Sequence, residues 1–177
     1  RLKIAPHEVC YLQAGIYDGN PGGFPDPTTG EQINNNAGVE FEINNDEGYL
    51  AYLETGYRLN PDGRDGLPGT YKIGAYYHSD DFYDLYHDAN GDFYVLTGNS
   101  PETHEGNYGF YALAEQQIYR EIAGDDPAHQ GLGLFARYAT APKNRNLFTE
   151  SYDGGIVYKG LLPGRDWDTC ALAASYL

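Results

Sequence analysis

Charged, amide and tyrosine side chains recur at alternate positions along several segments, and they form the main set of candidate binding residues. They carry both signs of charge, whereas a site for small anions would show mostly one sign. A mixed set suits neutral polyols, whose hydroxyl groups donate and accept hydrogen bonds and whose C–H faces pack on aromatic rings. The same residues would also serve merely to satisfy one another in a general, hydrated diffusion pore. The candidate pore-lining residues are Glu54, Arg58, Lys72, Tyr76, Glu115, Gln117, Arg137 and Lys159.

Metal and hydrolytic chemistry have weaker support in the sequence. Asp88, Asn90 and Asp92 place oxygen ligands at alternate positions, as at the start of a calcium loop, but the distal bidentate glutamate of an EF-hand is absent. The five histidines show no zinc-ligand spacing. Glu40 and Glu42 could be imagined as a glycosidase pair, but an acidic loop explains them better. We expect no enzymatic activity and no cofactor, with calcium in the acidic loop as the one weak alternative.

The elements that position these residues are predicted from period-two alternation, which is clearest over residues 48–60. One side carries Tyr49, Leu53 and Tyr57, and the other carries Glu54 and Arg58. With the tilt of a membrane barrel, the two tyrosines lie about 20 Å apart along the barrel axis. That spacing approaches the apolar band of an outer-membrane barrel, which is about 25 Å tall and is flanked by aromatic girdles. The pattern predicts a strand between water and lipid.

The whole chain is predicted to be a single, partial, all-β domain over 1–177, an antiparallel transmembrane β-barrel of the outer-membrane porin type. Long connections of extracellular type, 18–47 and 80–106, alternate with shorter ones. Bacterial barrels normally have an even number of strands, and open edges do not survive in hydrocarbon. We therefore expect the remaining strands to come from elsewhere in a longer chain. The seven predicted strands are 9–17, 48–60, 70–79, 107–121, 131–141, 152–162 and 167–177.

Assigning the more apolar side of each strand to lipid divides the residues between two faces. Two residues fit poorly, because Gln116 and Arg120 fall on the lipid side, where they are tolerable only near an interface. Besides the eight candidates above, the predicted lumen face includes Gln13, Tyr17, His78, Tyr119, Phe135 and Asp153.

Composition narrows the function classes. The formal net charge of -15 argues against nucleic-acid binding, which needs a basic surface. No apolar run reaches the 18 or so residues of a membrane helix. The two cysteines, Cys10 and Cys170, are far apart in sequence, so pairing and two unpaired thiols both stay open.

Six segments, in order along nearly all of the chain, resemble the OprB family of carbohydrate-selective porins. One is Gly131-Leu-Gly-Leu-Phe-Ala-Arg-Tyr138, and another is Pro142-Lys-Asn-Arg-Asn146. The other four segments are 11–21, 69–78, 106–121 and 158–165.

The resemblance implies a sixteen-stranded barrel in the outer membrane of Gram-negative bacteria, with this chain supplying about seven to eight strands from the latter half. It implies passive diffusion of glucose and other small neutral sugars, and contact with outer-membrane lipid and lipopolysaccharide. It also implies an arginine-containing constriction, onto which Arg58 and Arg137 are carried over, together with Glu54 and Glu115. The alternatives are a soluble, secreted β-sandwich that binds glycans and a plugged structural barrel.

Overall fold

The computed structural model describes residues 1–20, 48–64, 66–121 and 130–177, which form one antiparallel sheet of eight strands. Each strand pairs with the next in sequence, so the first and last strands are the edges of the sheet. A four-residue helix lies between the fourth and fifth strands. The elements are β1 (Leu2–His7), β2 (Cys10–Asp18), β3 (Tyr49–Leu59), β4 (Gly69–Asp88), α1 (Tyr94–Thr97), β5 (Pro101–Arg120), β6 (Gly131–Thr140), β7 (Glu150–Lys159) and β8 (Thr169–Tyr176).

The sheet has two unlike faces, because residues paired directly across antiparallel strands point to the same side. Thr55, Ile73 and Ala112 pair in one row on the first side, which we call the apolar face. The neighbouring row contains Glu54 and Gly74 and points to the other side, which we call the polar face. The apolar face carries Leu12, Ala14, Ile16, Ala51, Leu53, Ile73, Ala75, Phe110, Ala112, Ala114, Leu134, Ala136, Ile156 and Leu172.

The apolar face is not covered by a second layer in the described part of the chain. Leu53 is 51% exposed, Ile73 is 61% exposed and Leu172 is 71% exposed. Among the described residues, Tyr11 is the one buried hydrophobic side chain, and it lies on the polar face. A soluble sandwich would instead bury the side of β4 that carries Tyr71. In the structure, Tyr71 is 37% exposed. Apolar surface of this extent is typical of a surface that meets lipid or another protein.

Tyrosine pairs border the apolar face at both ends of the strands. At the end where β3 begins, the rings of Tyr49 and Tyr77 lie 6.2 Å apart between centroids. At the end where β7 finishes, the rings of Tyr119 and Tyr158 lie 6.5 Å apart. Amphipathic rings in two such rows occupy the two membrane–water interfaces of outer-membrane barrels. Tyr49 and Tyr57, at the two ends of β3, both lie on the apolar face, which confirms the alternation predicted over residues 48–60.

The structure has one strand more than the seven predicted. β1 was missed, although Leu2 and Ile4 share the apolar face with Leu12. The segment is short and contains Pro6, which weakens a strand signal. With β1 included, the described strands number eight, within the predicted range of seven to eight.

The structure corrects the prediction of a long loop over 80–106, because most of these residues lie in strands. β4 continues to Asp88 and β5 begins at Pro101, leaving 89–100 as the connection. The acidic run that includes Asp81 obscured the period-two pattern, yet Asp81 pairs with Glu105 in the ladder. Beyond the apolar face, the hairpin mixes acidic and aromatic residues on both of its sides, so it shows no alternation. In the other predicted long loop, 18–47, residues 21–47 lie outside the described residues, as do Glu40 and Glu42.

A β-bulge in β5 corrects the predicted faces of two residues. The register against β6 shifts between Gln117 and Tyr119, which inserts one extra residue. Tyr119 therefore pairs with Leu132 on the apolar face, although it was predicted to face the lumen. Arg120 moves to the polar face, where it pairs with Gly131 and its guanidinium donates to the Gly66 carbonyl at 2.6 Å. The poor fit of Arg120 to the lipid side is thereby removed.

Candidate functional site

All eight candidate residues from the sequence lie on the polar face. Arg58 and Glu115 both pair with Thr70, and Lys72 and Arg137 both pair with Leu113. Single pairs place the other four on the same face: Glu54 with Gln13, Tyr76 with Tyr52, Gln117 with Gly133 and Lys159 with Gly131. Their shared face follows from strand parity and register, whereas their role in lining a pore stays a prediction.

The carboxylate of Glu54 is the centre of the polar face. One oxygen accepts hydrogen bonds from the Tyr11 hydroxyl and the Gln13 amide, both at 2.7 Å. The other oxygen accepts from the Tyr111 hydroxyl at 2.5 Å. These bonds join β2, β3 and β5 across the intervening β4. Hydrogen bonds to a carboxylate are stronger than hydrogen bonds between neutral groups, so Glu54 fixes the two tyrosine rings against the sheet.

Glycines make the flat tyrosine arrangement possible. Gly74 pairs with both Glu54 and Tyr111, and a methyl group there would lie 2.3 Å from Cζ of Tyr111. A methyl group at Gly56 would lie 2.2 Å from Cε1 of Tyr11. Each ring therefore crosses the neighbouring strand where that strand has no side chain. A sheet that packs aromatic rings over glycines keeps its strands paired despite the weak propensity of glycine.

Cations surround the same cluster. The Lys3 ammonium lies 4.3 Å from the Tyr11 ring centroid, and the Arg58 guanidinium carbon lies 5.9 Å from it. Arg1 donates to the Gln13 side chain at 2.6 Å. Cations over an aromatic face are attracted to its negative quadrupole. The cluster therefore combines a carboxylate, cations and ring faces on one side of the sheet.

A second charged group lies on β6 and β7. The guanidinium of Arg137 donates to Oδ2 of Asp153 at 2.7 Å, and the Ser175 hydroxyl donates to Oδ1 of the same carboxylate. The Arg137 side chain is 55% exposed, whereas that of Asp153 is 16% exposed. The arginine therefore presents its unbonded N–H groups to the space above the sheet, while the aspartate anchors it.

Two of the eight candidates instead contact the connections that follow β5 and β7, at the end of the sheet where these strands finish. The amide of Gln117 donates to the Gln130 carbonyl at 2.9 Å. The Lys159 ammonium lies 4.6 Å from the Trp167 ring centroid. These two residues are held by neighbouring connections, so they are weaker candidates for direct contact with a solute.

Sequence reasoning missed several members of the site. Tyr11 has the same parity as the predicted lumen residue Gln13, Tyr111 has the same parity as Glu115, and Lys3 lies on the unpredicted β1. Parity could have placed the two tyrosines on the lumen face. Their meeting at Glu54 depends on the register of four strands, which the alternation pattern does not give.

The acidic connection predicted as a weak calcium loop has an inward-turned aspartate. Asp88 is 1% exposed, and its carboxylate accepts from Asn99, Thr97 and the backbone N–H groups of Asn90 and Asp92. The hydrogen bond from Asn99 is the main cause of a lowered pKa at Asp88, with the other donors opposing the effect of burial. These donors explain the turn without an ion, and calcium binding by Asp88, Asn90 and Asp92 stays a prediction.

An exposed apolar face, a polar opposite face and two tyrosine borders define a section of the wall of an outer-membrane type β-barrel. No helix in the described ranges is long and apolar enough to cross a membrane. The chain belongs to the OprB family of carbohydrate-selective porins, whose family model matches residues 1–177.

Comparisons with individual proteins agree with this assignment. Porin B of Pseudomonas aeruginosa is 28% identical over 172 residues, covering 97% of this chain and 35% of that protein. A putative porin, QuiX, of Acinetobacter baylyi is 23% identical over 169 residues, covering 96% of this chain and 33% of that protein. A solved high-pH structure of Pseudomonas putida OprB matches with a TM-score of 0.76 and 25% identity, over 98% of this chain and 38% of that chain.

The chain spans about a third of the length of the curated relatives that it matches. The expectation that the chain is part of a larger porin is confirmed. Eight strands in an open sheet are consistent with one section of a larger barrel.

Proposed function

We propose that this chain is part of the wall of a bacterial outer-membrane channel through which small neutral sugars diffuse passively. One observation carries the proposal: the polar face gathers Glu54, Arg58 and Arg137 with flat tyrosine rings, opposite an uncovered apolar face. Membership of the carbohydrate-selective porin family supports the same solute class.

The mixed chemistry of the polar face suits weak, reversible contact with sugars. Lys72 and Arg137 offer N–H donors to sugar hydroxyls, and Glu115 offers an exposed carboxylate acceptor. The ring of Tyr111 lies along the sheet and is half-buried, so a sugar C–H face can pack against its open side. Contacts must stay weak, because a solute that binds tightly blocks its own path.

The two open edges call for further strands. In the described part of the chain, β1 and β8 each have one neighbour in the sheet, and an unpaired edge is too costly in hydrocarbon. We place the missing pairing partners in the rest of a longer polypeptide, with outer-membrane lipid and lipopolysaccharide against the apolar face. The bacterial outer membrane is then the site of action.

Planar-bilayer recording of the complete polypeptide tests the proposal. Purified protein is added to a lipid bilayer, and the ion current is measured while a neutral monosaccharide is added. We expect discrete current steps that fall reversibly with sugar concentration, because a sugar inside the pore displaces ions. A size-matched sugar acid is the control solute and should reduce the current less.

Two results would contradict the proposal. Current steps that respond no more to the monosaccharide than to the sugar acid would leave a channel without sugar preference. Protein that stays dispersed after detergent removal and produces no current would favour the soluble glycan-binding alternative.

A further inference from the structure

Three potential metal ligands meet on one side of the β4–β5 hairpin, outside the site described above. Phe82 pairs with His104, so Asp84 and Glu102, each two residues away from one of this pair, lie on the same side. The ligand atoms of Asp84, Glu102 and His104 all lie within 4.8 Å of one another. The histidine spacing in sequence gave no sign of this group, because the strand pairing creates it.

The aspartate is fixed before any ion binds. Asp84 is 4% exposed, and its Oδ1 accepts the backbone N–H groups of Tyr86 and His87, both at 2.8 Å. Its Oδ2 therefore faces His104 Nε2, at 2.8 Å. A preorganised carboxylate loses little conformational freedom when it coordinates a cation.

More groups converge on His104 Nε2 than one ring nitrogen can serve. Asn144 Nδ2 lies 2.8 Å from it, and the Asn144 oxygen accepts from Arg145 Nε at 3.1 Å, which directs the amide nitrogen towards the ring. Nε2 thus faces a donor and the carboxylate of Asp84, and Glu102 Oε2 lies 3.9 Å away. A neutral imidazole nitrogen either donates or accepts, so it cannot satisfy both sides. A cation bound to Nε2 would satisfy the imidazole lone pair and both carboxylates, with the Asn144 amide displaced from Nε2.

We propose that Asp84, Glu102 and His104 form a binding site for a divalent transition-metal ion of the zinc type. A tetrahedral ion with bonds of about 2.0 Å needs ligand atoms about 3.3 Å apart. The distances of 2.8 Å and 3.9 Å from Nε2 bracket that spacing, and the two carboxylates lie within 4.8 Å of each other, which side-chain rotation can shorten. Two carboxylates balance the charge of the ion, and a water molecule would take the fourth position.

The ligand set distinguishes this ion from calcium or magnesium. An imidazole nitrogen suits zinc, nickel or copper, whereas calcium takes six to eight oxygen ligands. The neighbouring loop, residues 141–149, contacts the hairpin beside the site, since Leu85 N–H donates to the Asn144 carbonyl at 2.7 Å. A bound ion would clamp the two strands of the hairpin next to that loop. The inference goes beyond the proposed channel and does not depend on it.

Calorimetric titration of the complete polypeptide in detergent, stripped of metal by a chelator, tests the site with zinc ions. We expect saturable binding of one ion per chain. Glu102→Gln and His104→Gln should each weaken it at least about tenfold, since even outer-shell changes often cost 10–100-fold. Glu102 is 45% exposed, so its replacement should leave the fold intact. His7→Gln is the matched control, because His7 lies beside the β1–β2 turn, at the other end of the sheet.

The proposal fails if no saturable binding is measured with the unaltered protein. It also fails if Glu102→Gln and His104→Gln bind zinc as tightly as His7→Gln does. X-ray absorption at the zinc edge adds an independent readout, with one nitrogen and two or three oxygen neighbours expected. A sulfur neighbour would assign the ion to a cysteine and overturn the site.

Discussion

Replacing Gly74 by alanine should disrupt the central cluster of the polar face. The new methyl carbon would lie 2.3 Å from Cζ and 2.5 Å from Oη of Tyr111, where ordinary contacts are 3.4–4 Å. The ring must therefore move by about 1 Å or more, since carbon atoms repel strongly inside their contact distance. That movement separates the Tyr111 hydroxyl from the Glu54 carboxylate.

The expected cost follows from two opposing effects. Loss of a hydrogen bond to a charged group costs about 1.5–3 kcal/mol, and a hydrated polar face favours the lower part of that range. Alanine in a strand recovers about 0.5–1 kcal/mol relative to glycine, because it restricts the unfolded chain. We therefore expect Gly74→Ala to lower the free energy of unfolding by about 0.5–1.5 kcal/mol.

Gly133→Ala is the matched control on the same face. A methyl group there would meet its nearest heavy atoms, two backbone oxygens, at 3.8 Å, so the change should be neutral or slightly stabilising. Unfolding by urea of the complete polypeptide in lipid vesicles would give both free energies. The double variant with Tyr111→Ala isolates the clash, since Gly74→Ala should then cost almost nothing. If Gly74→Ala is as harmless as Gly133→Ala, or is equally costly without the Tyr111 ring, the reasoning is refuted.

Three further predictions concern the charged residues and the bulge. Arg137→Ala should change sugar block or ion selectivity in bilayer recordings, because the Asp153 carboxylate then loses the guanidinium that lies 2.7 Å from it. Assembly should stay intact, and unchanged recordings would remove Arg137 from the solute path. Glu54→Gln removes one negative charge from the polar face, so the reversal potential should shift towards that of anions, and an unshifted potential would place Glu54 away from the conducting space. In a background without native cysteines, Arg120→Cys should react with a charged thiol reagent faster than Tyr119→Cys, and the reverse order would contradict the bulge.

The strand pattern and the faces were largely predictable from the sequence. Period-two alternation gives each strand its lipid and lumen sides, as for Leu53 and Glu54 in β3. This works because one face of each strand is apolar over most of its length, so a shift of one residue would reverse every side chain.

Features that depend on partners across the sheet were not predictable. The bulge at Gln117 adds one residue without changing composition, so Tyr119 and Arg120 were placed on the wrong faces. Predicting the Glu54 cluster and the group around His104 requires the register of neighbouring strands. The sequence leaves that register open, because it does not predict the lengths of the connections. The hairpin beyond His78 carries polar and aromatic residues on both sides and therefore gives no alternation signal.

Liposome swelling with a graded series of sugars tests most directly the claim that the polar face lines a sugar channel. The complete polypeptide, extracted in detergent, is reconstituted into liposomes, and swelling rates are compared with those of protein-free liposomes. The account predicts fast swelling with neutral monosaccharides, slower swelling as sugar size increases, and slow swelling with charged solutes of similar size. Swelling no faster than in protein-free liposomes, from protein shown to be inserted in the bilayer, would contradict it.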